Sequence, residues 1–358
     1  MSLDKRGSIR KVYRTINSGP SRNMFRIRTD TVVKPSPGML FHSVSEKFLQ
    51  LSTLLLLTVQ NTALVLLTKF SYRTHTTPYV VSTVIVFSEL SKLIVSSSFV
   101  VFLEGRVNLQ RALKEIPTSA LRLSVPSLLY VIQNNLLFEG VRLLSPVVYT
   151  VSSQSKIFTS ALFSTILLKT RITRKQSLAL FGLMIGMIFV QIGDEVIVKH
   201  ADRESDAPLR GFFIVMAASL TSGFAGAYLE KMYKEVDVSG LTRSIWFRNT
   251  QLACFSMPIA VCMSIFQDGR RILSFGVFAG YNNVVVIIIA LQAFGGLVVA
   301  AVMRYASNVL KCFAVSLSIC VCTFATSYIL DDGVVGLSAH QDLGIVLVIG
   351  ATFAYASK

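Results

Sequence analysis

Apolar runs of about 20 residues, each able to cross about 30 Å of hydrocarbon as a helix, recur along nearly all of the chain beyond residue 46. Short polar breaks separate them, among them "SYRTHTTP", "EGRVNLQ", "KTRITRK", "EVDVSG", "QDGRR" and "DDGVVGLSAHQ", with one longer break over 193–210. This alternation predicts helices near 47–70, 78–103, 118–139, 144–168, 176–198, 210–234, 243–266, 277–303, 308–330 and 341–357. The expected fold class is an all-α integral membrane protein with ten transmembrane helices. Five helices per half would invert the second half relative to the first. Lys156 and Lys311, separated by about half of the membrane-embedded length, fit that division. The expected organisation is a basic tail over 1–46 and two inverted five-helix repeats over 47–200 and 201–358.

Composition agrees with the pattern. Of 358 residues, 52% are hydrophobic and 15% charged, with mean hydropathy +0.60; a soluble domain is nearer 45–50% and about 25%. Net charge is +16 and the pI about 9.8. Much of the excess lies in Lys5, Arg6, Arg10, Lys11, Arg14, Arg22, Arg26, Arg28 and Lys34. This tail, rich in Ser, Asn and Pro, has little to bury and reads as disordered. Only Tyr13 and Phe25 are interleaved with its charges, so anionic membrane lipid is the expected partner and nucleic acid is not. No apolar core follows at signal-peptide distance, so no cleaved signal is expected.

Charge also orients the helices. The even-numbered connections carry Arg106, Arg111 and Lys114, then Lys169, Arg171, Arg174 and Lys175, then Lys231, Lys234 and Arg243. The opposite side has the 193–210 loop, whose basic residues are offset by Asp194, Glu195, Asp202, Glu204 and Asp206, and "DDGVV", which has no basic residue; Arg270 and Arg271 run contrary. Both termini are therefore expected in the cytosol. Cys254, Cys262, Cys312, Cys320 and Cys322 lie in or beside apolar spans without a CxxC pair, which predicts neither a disulfide framework nor a metal site. No cofactor is expected, and the sequence leaves a homodimer open.

Charged residues inside the spans are costly, about 2.5–3.5 kcal/mol each at mid-membrane by insertion scales. Glu89 and Lys92 stand three apart on one helical face, as a neutralising pair or a gating pair. Glu230 and Lys231 close the sixth span and read as snorkelling residues. Lys156 has no acidic residue on its own helix, and Tyr149, Ser153 and Lys156 recur on one face, as the wall of an aqueous pocket would. Tyr130, Gln133, Asn134 and Asn135 put amides into an apolar helix, as interhelical hydrogen bonds or as readers of a base edge. Arg248 and Asn249 lie in "WFRNTQ", and hydropathy alone leaves Lys311 as a snorkelling lysine at a helix end. Ser222, Gly223 and Gly226, with Gly295 and Gly296, suit close helix packing or a backbone surface approached by substrate. Two lysines with aromatic and amide neighbours suit an anion bearing a flat polar ring. A nucleoside diphosphate sugar fits, as do other organophosphates. An enzyme would want a metal or acid cluster, which the acidic loop 194–206 lacks, so no catalytic residue is expected.

The stretches "YVIQNNLLFEG", "VVYTVSSQSKIFTSALFSTILL", "TSGFAGAYLEKMYK", "SIWFRNTQL" and "LQAFGGLVVAAVMRYASNVLKCFAVSLSI" resemble those of the nucleotide-sugar transporters, in the drug/metabolite transporter superfamily. The resemblance covers roughly 47–335 and leans toward carriers of UDP-galactose and UDP-N-acetylglucosamine over those of CMP-sialic acid. It implies a ten-helix fold of two inverted halves in a Golgi or endoplasmic reticulum membrane. It further implies exchange of a cytosolic UDP-sugar (galactose, N-acetylglucosamine or N-acetylgalactosamine) for lumenal UMP. Matched by motif, Lys156 and Lys311 would bind phosphates and Tyr149 would lie on the nucleotide. Gln133, Asn134 and Asn135 would sit near base or ribose, Ser222 and Gly223 would line the opposite wall, and Asn249 would add a polar contact. Glu89 and Lys92 match a charged pair of the second helix. Ser153 stands where relatives usually carry an aromatic residue, and Ala253 where some carry tyrosine; both bear on the shape of the sugar or base pocket.

Overall fold

The computed structural model describes residues 37–74, 79–144, 146–195, 208–235, 244–327 and 337–357. The expected disordered tail, apart from Pro37 onward, and the 196–207 and 328–336 connections lie outside these residues. Residues Ser45–Lys358 form one compact unit, distinct from Met1–Val44, and the packing below concerns the former.

The described residues are helical and contain no strand. Helices α1 (Pro37–Thr74), α2 (Val81–Phe99), α3 (Arg106–Lys114), α4 (Ile116–Leu143), α5 (Pro146–Ser153) and α6 (Ser155–Leu168) come first. They are followed by α7 (Arg174–Glu195), α8 (Pro208–Lys234), α9 (Ile245–Phe275), α10 (Asn283–Tyr305), α11 (Asn308–Ala325) and α12 (Ala339–Ala356). Seven described segments, on α1, α2, α8, α9, α10, α11 and α12, are long and apolar enough to cross a membrane. Large apolar side chains such as Phe102, Phe266, Leu273 and Phe353 are mostly exposed, a surface suited to lipid and unlike that of a soluble monomer.

Three expectations need correcting. The break "EGRVNLQ" contains α3, entered through a π-helical turn over Val100–Glu104 and a turn at Gly105 with φ 88°. Its residues Leu109 and Ala112 pack with Val100, Trp246 and Phe247, so a polar run that is apolar on one face forms a helix instead of a loop. The break "QDGRR" lies inside α9, which continues to Phe275 and stops at Gly276, φ 84°. Polar residues do not end a helix when water or headgroups can receive their side chains; a glycine in the left-handed region does. The fourth expected span is interrupted at Gln154, between α5 and α6. The buried Gln154 side chain donates to Gln191 Oε1 of α7 at 3.0 Å.

Small residues decide where helices cross. α7 and α12 approach closely at Gly186 and Gly344, where a Cβ on Gly186 would fall 2.9 Å from the Gly344 carbonyl oxygen. α6 and α8 meet at Gly223, where a Cβ would fall 2.5 Å from the Thr159 carbonyl carbon. Thr159 Oγ1 donates to Ser219 O at 2.6 Å across the same crossing. Gly223→Val should therefore lower thermal stability by about 1–3 kcal/mol through overpacking, measured as a lower unfolding midpoint of the purified protein; an unchanged midpoint would show that the crossing can open. α1 joins α10 and α11 through polar contacts: Gln60 donates to Leu291 O at 3.0 Å and Asn61 to Ser318 Oγ at 2.6 Å.

Candidate functional site

Helices α2, α4, α8, α9 and α10 enclose a cavity of about 1030 Å³, at the upper end of the range for ligand pockets. Its wall follows α9 from Asn249 to Asp268, about 28 Å at the helical rise. Its two ends differ. Near Asp268 the wall includes the exposed Val81, Ile85 and Gln267. At the other end are Tyr233, Asn249, Ala300 and Met303, all buried. The cavity is thus blind at the 233/249/303 end.

The blind end carries oriented polar groups. Tyr233 Oη donates to Asn249 Oδ1 at 2.7 Å, which fixes the amide with Nδ2 as the remaining donor. That Nδ2 is buried and finds no hydrogen-bond partner among the described residues, a cost that a ligand acceptor would remove. Tyr130 of α4 lines the same region and packs on the cluster of Leu229, Tyr233 and Met303. Glu89 and Lys92 line the cavity as an ion pair, with Ser256 Oγ also donating to Glu89. Gly296, whose Cβ would meet the Lys92 side chain, gives that lysine room to lie along α10.

Of the residues expected to form the site, the cavity wall brings together Tyr130, Asn135, Asn249, Glu89 and Lys92. Asn134 is on α4, but its side chain lies outside the described residues. Gln133, also on α4, does not line the cavity, and its buried Oε1 has no hydrogen-bond partner among the described residues. Ser153 of α5 donates to Thr150 O in its own helix at 2.8 Å. Tyr149, likewise on α5, sets its ring against the position of Gly140. Neither Ser222 nor Gly223 lines the cavity, and Gly223 faces α6, filling the crossing at Thr159.

Lys156 and Lys311 lie in the first turns of α6 and α11. These helices are tied by Cys312 Sγ and Ser160 Oγ, 3.7 Å apart. Neither lines the cavity; α6 and α11 stand behind the wall, against α8 and α10. Among the described residues neither ammonium meets a carboxylate, whereas Lys92 and Lys234 do. Two unmatched cations on adjoining helices form an anion-attracting locus.

Glu230 departs from its expected role. It is 1% exposed, pairs with Lys234 Nζ at 2.7 Å and accepts from Asn308 N at 2.8 Å, so it does not snorkel. The i, i+4 spacing of Glu230 and Lys234 was a signal for the pair; nothing in the sequence pointed to Asn308.

A helical membrane protein with a deep blind cavity and a separate pair of unmatched cations has the parts of a carrier for an organic anion. The family model for nucleotide-sugar transporters matches residues 45–356, and the chain belongs to that family, one of transporters and not enzymes. It is 39% identical over 326 residues to a UDP-N-acetylglucosamine/UDP-N-acetylgalactosamine transporter of Caenorhabditis elegans, covering 87% of this chain and 94% of that one. A human UDP-N-acetylglucosamine transporter is 37% identical, with 84% and 93% covered. A UDP-galactose transporter of Schizosaccharomyces pombe is 35% identical, with 84% and 86% covered. A solved structure at 14% identity aligns over 88% of this chain and 96% of its own with TM-score 0.56, a likeness of fold alone.

Proposed function

We propose that the protein exchanges a cytosolic UDP-sugar for lumenal UMP across a Golgi or endoplasmic reticulum membrane, with UDP-N-acetylglucosamine, UDP-N-acetylgalactosamine and UDP-galactose as the candidate cargoes. The observation that carries this reading is the pair of lysines, Lys156 and Lys311, which meet no carboxylate among the described residues and stand on adjoining membrane-embedded helices of a nucleotide-sugar transporter. Lys92 is already neutralised by Glu89, which leaves the other two to receive a diphosphate. The nucleoside occupies the blind end, where Asn249 Nδ2 offers a donor and Tyr130 an aromatic face, with Gln133, Asn134 and Asn135 of α4 nearby. Tyr149, Ser153, Ser222 and Gly223 belong to the wall that the ligand meets when α8 and α10 part.

Ten spans in two inverted halves complete the proposal, with α4, α5–α6 and α7 as the three spans beyond the seven long apolar segments. Helix pairings favour it: α2 with α9, α6 with α11 and α7 with α12 each join a span to its counterpart five places on. With the basic connections and both termini cytosolic, the blind end faces the cytosol and the Val81–Asp268 end faces the lumen.

Purified protein in liposomes, preloaded with UMP and offered UDP-, CMP- and GDP-sugars in turn, tests the substrate class. Uptake is expected for UDP-sugars. Uptake of CMP-sialic acid with none of UDP-sugars would overturn the assignment, and product that has lost its sugar would indicate transfer or hydrolysis.

A further inference from the structure

α10 ends at Tyr305 and α11 begins at Asn308, so two residues make the elbow between them. The last turn of α8 holds this elbow through three hydrogen bonds. Arg304 donates to Tyr233 O at 2.9 Å, and Lys234 Nζ to Ala306 O at 2.6 Å. Glu230 accepts the first backbone N–H of α11, from Asn308, and its other oxygen holds Lys234. One turn earlier on α8, Gly226 leaves room for the Asn308 side chain, which a Cβ there would overlap.

Burying a carboxylate is expensive unless both oxygens are matched. Here one oxygen meets an ammonium and the other the positive end of a helix, where negative charge is stabilised by its unpaired N–H groups. The same helical turn carries Lys311, whose N–H bonds to Ser307 O at 2.9 Å. The next residue, Cys312, meets Ser160 on α6, one turn beyond Lys156. Placement of the first turn of α11 therefore sets the spacing of the two lysines.

We propose that Glu230 is a positioning residue for the Lys311 ammonium, holding the first turn of α11 from α8 so that Lys311 and Lys156 are spaced for one phosphate-bearing ligand. This rests on the reading that both lysines bind phosphate. Glu230 does not itself touch the ligand, whose charge it would repel.

The test uses the full chain in detergent, with UMP titrated calorimetrically and uridine, which lacks phosphate, measured by competition against UMP. Glu230→Gln keeps the shape and removes the charge. UMP affinity should fall about tenfold, the scale of one charged hydrogen bond, with uridine changed less than about twofold. In liposomes KM should rise with kcat nearly unchanged. In a Lys311→Gln background the same change should cost nothing further, since the group being positioned is gone. Should Glu230→Gln not fold, Asn308→Pro removes the same N–H from the other partner at the first helical position, where proline is tolerated, and should give the same UMP-selective loss. Wild-type affinity for UMP, an equal loss for uridine, or full additivity with Lys311→Gln would each overturn the proposal. If Lys311→Gln alone binds UMP normally, the phosphate reading fails, whatever Glu230→Gln does.

Discussion

Lys156→Ala and Lys311→Ala are each expected to weaken UMP binding by about a hundredfold, the equivalent of one strong charge-assisted contact to phosphate. The sign of the stability change separates this from a structural role. Among the described residues neither ammonium meets a carboxylate. Removing either one relieves an uncompensated charge at a cost-bearing depth and strands no partner. The ligand-free variants should then unfold at the same temperature as the wild type or higher, while losing the stabilisation that UMP confers. A structural lysine would do the reverse, lowering the midpoint without ligand and leaving affinity for the surviving fold intact. Thermal unfolding with and without UMP reads both quantities on one sample.

The second large effect concerns exchange. Two like charges beside one another are least favourable when no anion shares their site, so the empty carrier should cross between its two faces slowly. UDP-sugar inward and UMP outward each cover the charges during the crossing. Liposomes preloaded with UMP should therefore take up labelled UDP-sugar roughly tenfold faster than empty ones, within the usual span of coupling energies. In Lys156→Ala that acceleration should shrink, because an empty site with one cation is less disfavoured. Equal initial rates from loaded and empty vesicles would mean that the empty carrier returns freely.

Much of this architecture was legible in the residue pattern, for a physical reason. A lipid-facing helix must be apolar over its whole length, so α2 and α8 announced themselves within a few residues of their observed bounds, as did the end of α10 and the start of α11. What failed were places where polarity was read as irregular backbone. The residues Gln267–Arg271 stay helical because they sit near the end of a 31-residue helix, longer than hydrocarbon requires. α3 is short and amphipathic, and its apolar side finds Trp246 and Phe247, which are distant in sequence.

The site was legible in its residue types and less so in its grouping. Glu89 and Lys92 were paired by spacing, and they pair. Gly223 carried two readings, of which the Thr159 crossing accounts for one. Glu230 looked like a helix-end charge because the elbow it caps lies about 76 residues later in the chain, beyond the reach of any periodicity. The cavity residues Tyr233 and Met303 were passed over as ordinary apolar-span residues, since nothing local marks a side chain that closes a cavity.

The measurement that bears most directly on the account is a structure with UMP bound. The phosphate oxygens should lie at about 2.7–2.9 Å from Nζ of both Lys156 and Lys311, with the Glu89–Lys92 pair intact. A phosphate seated on Lys92 instead, with Glu89 displaced and the other two lysines untouched, would contradict it.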